Sequence, residues 1–231
     1  APSGLEFVVS DSCQNYKLVD GALLSKDGTI LYAQSSNLNG GTYTVPNGVQ
    51  IIGTYAMSLN NTFNNINIPN SVTTLEDYCL YKTAIHSLQM PDSVVHVQSN
   101  ICSYCLNLTS VKISDNLEEL GEMAGWEAFY SCKNLSDVTL GSKLRVIGNA
   151  SFAGTKITSI HIPDSVEQIN FGAFGDIRSL KSVTGCKGLK KIYRLAFRYA
   201  GITDFPFGDN LTYVSNSAFY GCHFEPKYPS Y

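Results

Sequence analysis

Residues 157–174 read Ile157-Thr158-Ser159-Ile160-His161-Ile162-Pro163-Asp164-Ser165-Val166-Glu167-Gln168-Ile169-Asn170-Phe171-Gly172-Ala173-Phe174. The apolar residues Ile157, Ile160, Ile162, Val166, Ile169 and Phe174 are separated by steps of 3, 2, 4, 3 and 5. The same steps describe the segment before it, through Leu135, Val138, Leu140, Leu144, Ile147 and Phe152. A spacing that restarts after a fixed interval marks an internal repeat, and a repeat decides the fold before any single motif does.

Working outward, the ruler fits Phe63, Ile66, Ile68, Val72, Leu75, Leu80 and then Ile85, Leu88, Met90, Val94, Val97, Cys102. Toward the C-terminus it fits Leu180, Val183, Gly185, Leu189, Ile192, Phe197 and Ile202, Phe205, Phe207, Leu211, Val214, Phe219. Partial copies start at Val45 and Leu108, which makes about eight coils of about 22 or 23 residues. Each unit opens with a period-2 alternation suited to a short strand with its apolar face inward. Pro46, Pro69, Pro91 and Pro163 follow that strand, where a missing N–H ends the ladder at no cost. A second segment runs along the opposite wall, with Gly53, Gly121 and Gly148 expected at its bends. Then a small residue and Phe plug the interior, as in Ala128-Phe129, Ala173-Phe174, Ala196-Phe197 and Ala218-Phe219. One coil cannot bury enough surface to fold alone, whereas stacked coils cover one another.

A chain of 231 residues with 44% hydrophobic content can fill such a core. Charged residues make up only 15% and the net charge is -3, so no basic field is present to hold a phosphate backbone, and nucleic acid is excluded as a partner. No apolar run approaches the roughly 18 residues of a membrane span, so no membrane insertion is expected within the chain. Residues 1–42 lack a basic stretch followed by an apolar signal core, and the start at Ala1 fits removal of a secretory signal or trimming. Seven cysteines, an odd number, do not form a compact disulfide framework. Asn60, Asn107, Asn134, Asn149 and Asn210 lie in Asn-x-Ser/Thr sequons that would allow glycosylation in a eukaryotic secretory pathway.

The unit Ile160–Ile169 continuing to Gly172-Ala173-Phe174 resembles the repeat of BspA-like leucine-rich-repeat proteins, the treponemal type. Residues 18–34 resemble the hairpin that precedes repeat arrays in that family, and two apolar strands flanking Lys26-Asp27-Gly28 are a hairpin signal by turn chemistry alone. The resemblance implies a mainly β leucine-rich-repeat solenoid with a parallel strand ladder and an N-terminal β-hairpin cap. For function it implies secreted or surface-exposed adhesins of mucosal bacteria and protists that bind host proteins, with no catalytic residues.

The outward strand positions form one polar face of small, nearly neutral residues. Its recognition candidates are Asn67, His86, Gln89, Lys112, Asp137, Thr139, His161, Lys181 and Asp204. Such a face suits many modest hydrogen bonds to a polypeptide or glycan, or is simply the solvated side of a sheet. His86 and His161 lie three coils apart, roughly 14 Å at about 4.8 Å per strand, too far to share a metal ion. Cys102-Ser103-Tyr104-Cys105 has the C-x-x-C form of redox and zinc sites. The repeat register instead puts Cys102 at the buried Phe position and Cys105, Cys132 and Cys222 at one turn position, as buried thiols or, alternatively, as a Cys105–Cys132 disulfide. Between Leu120 and Phe129 the ruler lengthens from five to nine, and this insertion holds Trp126, the sole tryptophan, near Asp115, Glu118 and Glu119. Solenoid insertions map to loops and Trp is enriched at binding hot spots; the alternative is a bulge with Trp126 folded over its own coil.

The sequence therefore predicts a capping hairpin segment at 1–42, a solenoid at 43–224 and a tail at 225–231. No catalytic, cofactor or metal residues are assigned. The expected role is extracellular or cell-surface adhesion to a protein or glycan, such as a host matrix or epithelial surface protein. The rival is a structural spacer presenting another domain.

Overall fold

The computed structural model describes residues 7–35, 40–121 and 127–223. Each coil has three walls around one core. The first wall is a parallel ladder of Gly41–Thr44, Phe63–Asn67, Ser87–Gln89, Ser110–Lys112, Asp137–Thr139, Ser159–Ile162 and Ser182–Gly185. Where formal pairing lapses, single bonds carry the stack on, His86 N–H donating to the Asn64 carbonyl (2.9 Å) and Lys156 N–H to that of Leu135 (2.9 Å). The second wall has two-residue strands, Ile51–Ile52, Thr74–Leu75, His96–Val97, Glu119–Leu120, Val146–Ile147, Gln168–Ile169, Lys191–Ile192 and Tyr213–Val214.

The proline step is a turn. Val49 N–H donates to the Pro46 carbonyl (3.2 Å), Val72 to Pro69 (3.0 Å), Val94 to Pro91 (3.0 Å) and Val166 to Pro163 (3.0 Å). Coils without proline make the same bond, as from Leu117 to Ser114 (3.3 Å) and Leu144 to Gly141 (3.2 Å). Proline supplies the fixed φ of the turn's opening and withholds an N–H from the strand it ends.

The third wall is hydrogen-bonded along the stack although it contains no strand. Met57 N–H donates to the Cys79 carbonyl (2.9 Å), Leu80 to Ile101 (2.7 Å), Phe129 to Ser151 (2.8 Å), Phe152 to Ala173 (2.9 Å) and Phe174 to Ala196 (2.7 Å). Two left-handed residues flank the plug in every coil but the last: Tyr55 (φ 57°) and Leu59 (φ 60°), Tyr78 (57°) and Lys82 (54°), Leu195 (59°) and Tyr199 (52°) among them, while Phe219 has Gly221 alone (75°). A left-handed side-chain residue costs about 1–2 kcal/mol, and the inter-coil bonds it aligns offset that at about 1 kcal/mol each. Gly53 and Gly148 do open turns, their carbonyls accepting from Ala56 N–H (3.0 Å) and Ser151 N–H (3.4 Å), but the reason for glycine there is close approach. Gly53 and Gly148 are not left-handed; their N–H groups donate to the Leu31 and Leu120 carbonyls of the neighbouring coil (both 2.9 Å), and a side chain would press on those oxygens. Gly121 alone of the three has a positive φ, 87°.

Inside, Phe129, Phe152, Phe174, Phe197 and Phe219 stack in one column, centroids 5.3–5.6 Å apart and planes within 4–12°. The N-terminal cap is larger than one hairpin. Tyr16–Val19, Ala22–Ser25 and Ile30–Gln34 form an antiparallel meander whose last strand pairs in parallel with Ile51–Ile52, so the cap continues the second wall. Its first turn is Asp20-Gly21, both left-handed (φ 48° and 76°), a hairpin signal beside the expected Lys26-Asp27-Gly28. At the other end no strand forms at 202–207. Pro206 has no N–H to give, Phe205 N–H donates to the Asp204 carboxylate (2.8 Å), and Phe207 N–H folds back on the Phe205 carbonyl (2.9 Å).

Candidate recognition surface

Period-2 alternation turns Ile66, Leu88, Val111, Ile160 and Val183 inward and leaves their neighbours outside. Three outward rows result. Gln89, Lys112 and Thr139 are partners on adjacent rungs, with Asn67 opposite Thr44 below and His161 opposite Thr184 above. Asp137 lies in the second row, paired with Ser110, and Asp204 follows that row into the last coil. His86 and Lys181 stand at strand entries in the third row. His86 and His161 are thus brought neither to one rung nor to one row.

The rows are tied internally. Asn67 Nδ2 donates to Thr44 Oγ1 (3.2 Å), Thr109 Oγ1 to the His86 carbonyl (3.0 Å), and His161 Nδ1 lies 3.1 Å from Thr184 Oγ1. Lys112 Nζ is 3.8 Å from Asp115 Oδ2. Ser142 N–H, 3.0 Å from Asp115 Oδ1, holds that carboxyl below its ordinary value, and Lys112 adds to the effect. Trp126 lies outside the described residues. The described residues that flank it, Gly121 and Glu127, lie where the second wall gives way to the third.

All seven cysteines are free. Cys102 Sγ donates to Cys105 Sγ (2.9 Å), Cys105 Sγ lies 3.3 Å from Thr83 Oγ1, and Cys132 Sγ donates to the Cys102 carbonyl (3.0 Å). Burial, then the bonds to Cys105, pushes the Cys102 and Cys132 thiols up. Burial also opposes ionisation of Cys105, but hydrogen bonds from Cys102, Cys132 and Thr83 outweigh it and draw that thiol down. Among the described residues no group of three or more His, Cys, Asp or Glu side chains is placed to hold a metal ion. All five sequon asparagines are engaged: buried Asn60 Oδ1 accepts from Thr62 N–H (2.8 Å) and Asn149 Oδ1 from Phe171 N–H (3.1 Å), while Nδ2 of Asn107, Asn134 and Asn210 donates to the carbonyls of Ala84 (3.5 Å), Leu106 (2.7 Å) and Lys187 (2.7 Å) one coil away.

Two surface features escaped the sequence reading. On the third wall Tyr55 stacks on Tyr78 (4.8 Å, 11°), and edge contacts continue through Tyr81, Tyr104 and Tyr130 at 5.4, 5.9 and 5.5 Å. Lys82 Nζ stands 5.1 Å and 5.4 Å from the Tyr81 and Tyr104 rings. The signal available was tyrosine recurring one coil apart, at 55 and 78 and again at 81 and 104. On the second wall charges alternate in sign along the stack: Arg145 reaches Glu118 (3.2 Å) and Glu167 (3.6 Å), and Glu167 also meets Lys190 (2.9 Å).

Comparison with known proteins agrees with this architecture. No curated protein matches the sequence. A leucine-rich repeat protein from Eubacterium ventriosum superposes over 96% of this chain and 53% of its own, with a TM-score of 0.67 and 23% identity. This chain thus spans about half the length of that protein. The T. pallidum leucine-rich repeat protein superposes over 82% of this chain and 89% of its own, with a TM-score of 0.62 and 20% identity. At these identities the likeness speaks to fold alone. The family model for the BspA type leucine rich repeat region matches in six copies, over residues 31–125 and 125–225, the stretch in which the three walls and the phenylalanine column repeat. The chain belongs to the BspA type leucine-rich repeat family.

Proposed function

We propose that this chain is a non-catalytic recognition module that works at the cell surface or outside the cell and binds a host or matrix protein or glycan across its strand face. The observation that carries the reading is the row of Gln89, Lys112 and Thr139, paired rung to rung, which His161, paired with Thr184 and 3.1 Å from its Oγ1, continues in the next coil. Side chains fixed before binding lose little freedom on binding, so modest hydrogen bonds add up. Seven rungs at about 4.8 Å give a face about 30 Å long, on the scale of the roughly 800 Å² that an ordinary partner covers. Family membership supports the extracellular placement.

The test is binding to a panel of matrix and epithelial-surface proteins, followed by the combined variant Gln89→Trp, Lys112→Glu, Thr139→Lys and His161→Glu. Loss of binding with unchanged melting is expected, while Trp126→Ala retains it. A spacer would lose nothing from the fourfold change. Dependence on Trp126 with an indifferent strand face would place binding on the insertion and sink the reading. Charges of both signs on the face predict only a modest fall in affinity with salt.

A further inference from the structure

Where the third wall meets the strand wall, the last two complete coils leave a cleft of about 330 Å³ lined by Arg178, Lys181, Tyr199, Gly201, Gly221 and His223. Two glycines open it. Arg178, Gly201 and His223 occupy the same corner of successive coils, so the middle rung has no side chain between two cationic or protonatable ones. The Lys181 ammonium enters that gap, 2.5 Å from where a Cβ on Gly201 would lie. Two residues before His223, left-handed Gly221 (φ 75°) sits beneath the Tyr199 ring, which would collide with any side chain there. The Arg178 guanidinium is 6.0 Å from the Tyr199 ring centre.

Among the described residues no carboxylate pairs with Arg178 or Lys181, whereas the adjacent Arg198 is matched by Asp176. On the second wall Arg145 and Lys190 are likewise matched, by Glu118 and Glu167. Two unpaired cations converging beside an aromatic ring, on a chain whose net charge is -3, select for an anion by local chemistry and not by overall attraction. The aromatic wall and the enclosure favour a compact ring carrying the acid over an extended acidic chain, which would leave the Tyr199 side unused.

We infer that this cleft binds the acidic substituent, sulfate or carboxylate, of a saccharide, with Arg178 and Lys181 on the anion and Tyr199 against the sugar. The site stands apart from the row tested above, and the fourfold variant leaves it intact, so the two readings fail separately. The full chain is titrated calorimetrically at low salt with 3′-sulfolactose, which carries sulfate and no carboxylate, 3′-sialyllactose, which carries carboxylate and no sulfate, lactose and a tetraglutamate peptide. Binding of at least one anionic saccharide, and not of lactose, is expected; which of the two binds distinguishes sulfate from carboxylate. Exposed Arg178→Gln and Lys181→Gln should each weaken it roughly tenfold without altering melting. Lys191→Gln, which removes the same charge from the second wall, should leave it unchanged. Silence with both anionic saccharides, equal or tighter binding of tetraglutamate, or equal losses from Lys181→Gln and Lys191→Gln would each overturn the inference.

Discussion

Replacing Phe174 with Ala tests the column that joins the coils. The ring is fully buried and lies between Phe152 at 5.5 Å and Phe197 at 5.3 Å, nearly parallel to both. Truncating a buried Phe costs about 3–5 kcal/mol, rising by about 24 cal/mol for each Å³ of cavity that fails to close. Collapse is difficult here, because the inter-coil spacing is fixed on all three walls by backbone hydrogen bonds. Each aromatic pair adds about 0.5–1.5 kcal/mol beyond area, and two pairs are lost, so about 4–5 kcal/mol is expected. Phe129 has one aromatic neighbour in the column, Phe152, since Cys102 takes the rung below. Phe129→Ala should therefore cost about 1 kcal/mol less. Urea unfolding followed by circular dichroism reads both. A Phe174→Ala loss below about 2 kcal/mol, or one no larger than that of Phe129→Ala, would refute the stacking argument.

Thiol titration of the native protein should label Cys13 promptly, since backbone N–H groups of Asn15 and Tyr16 lower its pKa, while Cys79, Cys102, Cys105 and Cys132 react only after denaturation; a Cys105–Cys132 linked peptide in the non-reduced digest would contradict the free-thiol arrangement. Asp27 accepts from Ser25 Oγ (2.5 Å), Thr29 N–H (3.0 Å) and Thr29 Oγ1 (2.8 Å), and these bonds lower its pKa from 3.8 to about 2. Because the folded value lies below the unfolded one, its contribution is complete above pH 3.8 and lost as pH falls toward 2; melting of Asp27→Asn should lack this increment of acid sensitivity, and identical profiles would exclude the turn as its source. Glu167→Gln breaks the middle of an exposed charge ladder and should leave the melting temperature nearly unchanged, with any loss smaller in high salt; a large drop in melting would mean that the second wall depends on charge.

What was legible in the sequence was the inside of the molecule. Ile160, Ile162, Val166, Ile169 and Phe174 recur because every coil must present the same apolar contacts to the next, and the register of both strand walls follows from that alone. The third wall was hidden for the same reason. Its regularity lies in backbone conformation, and the left-handed positions accept Tyr78, Asn100, Glu127 or Leu195 as readily as Gly172, so no residue type announces them. Asp20-Gly21 did announce the extra turn of the cap, and Pro206 the loss of the last strand. Both are local turn signals that lie outside the repeat spacing.

That distinction separates what the fold requires from what it leaves open. Ser, Thr and Asn on the strand rows are compatible with any exposed ladder, so their types alone carry little information about a partner; the strand-face reading rests on area and fixed geometry. The corner at Arg178 is different. Gly201 answers to packing, since a Cβ there would lie 2.2 Å from the Arg178 carbonyl oxygen, but a solenoid of this kind does not need two cations there that are unmatched among the described residues, and most other coils place a side chain at the left-handed position that Gly221 fills, among them Leu59, Lys82, Tyr104 and Asp176. Lys181 belongs to both surfaces, beginning an outward strand and ending in the cleft. A macromolecule laid along the strand face and carrying an acidic sugar would meet both, the rows supplying contact area and the corner supplying charge selection.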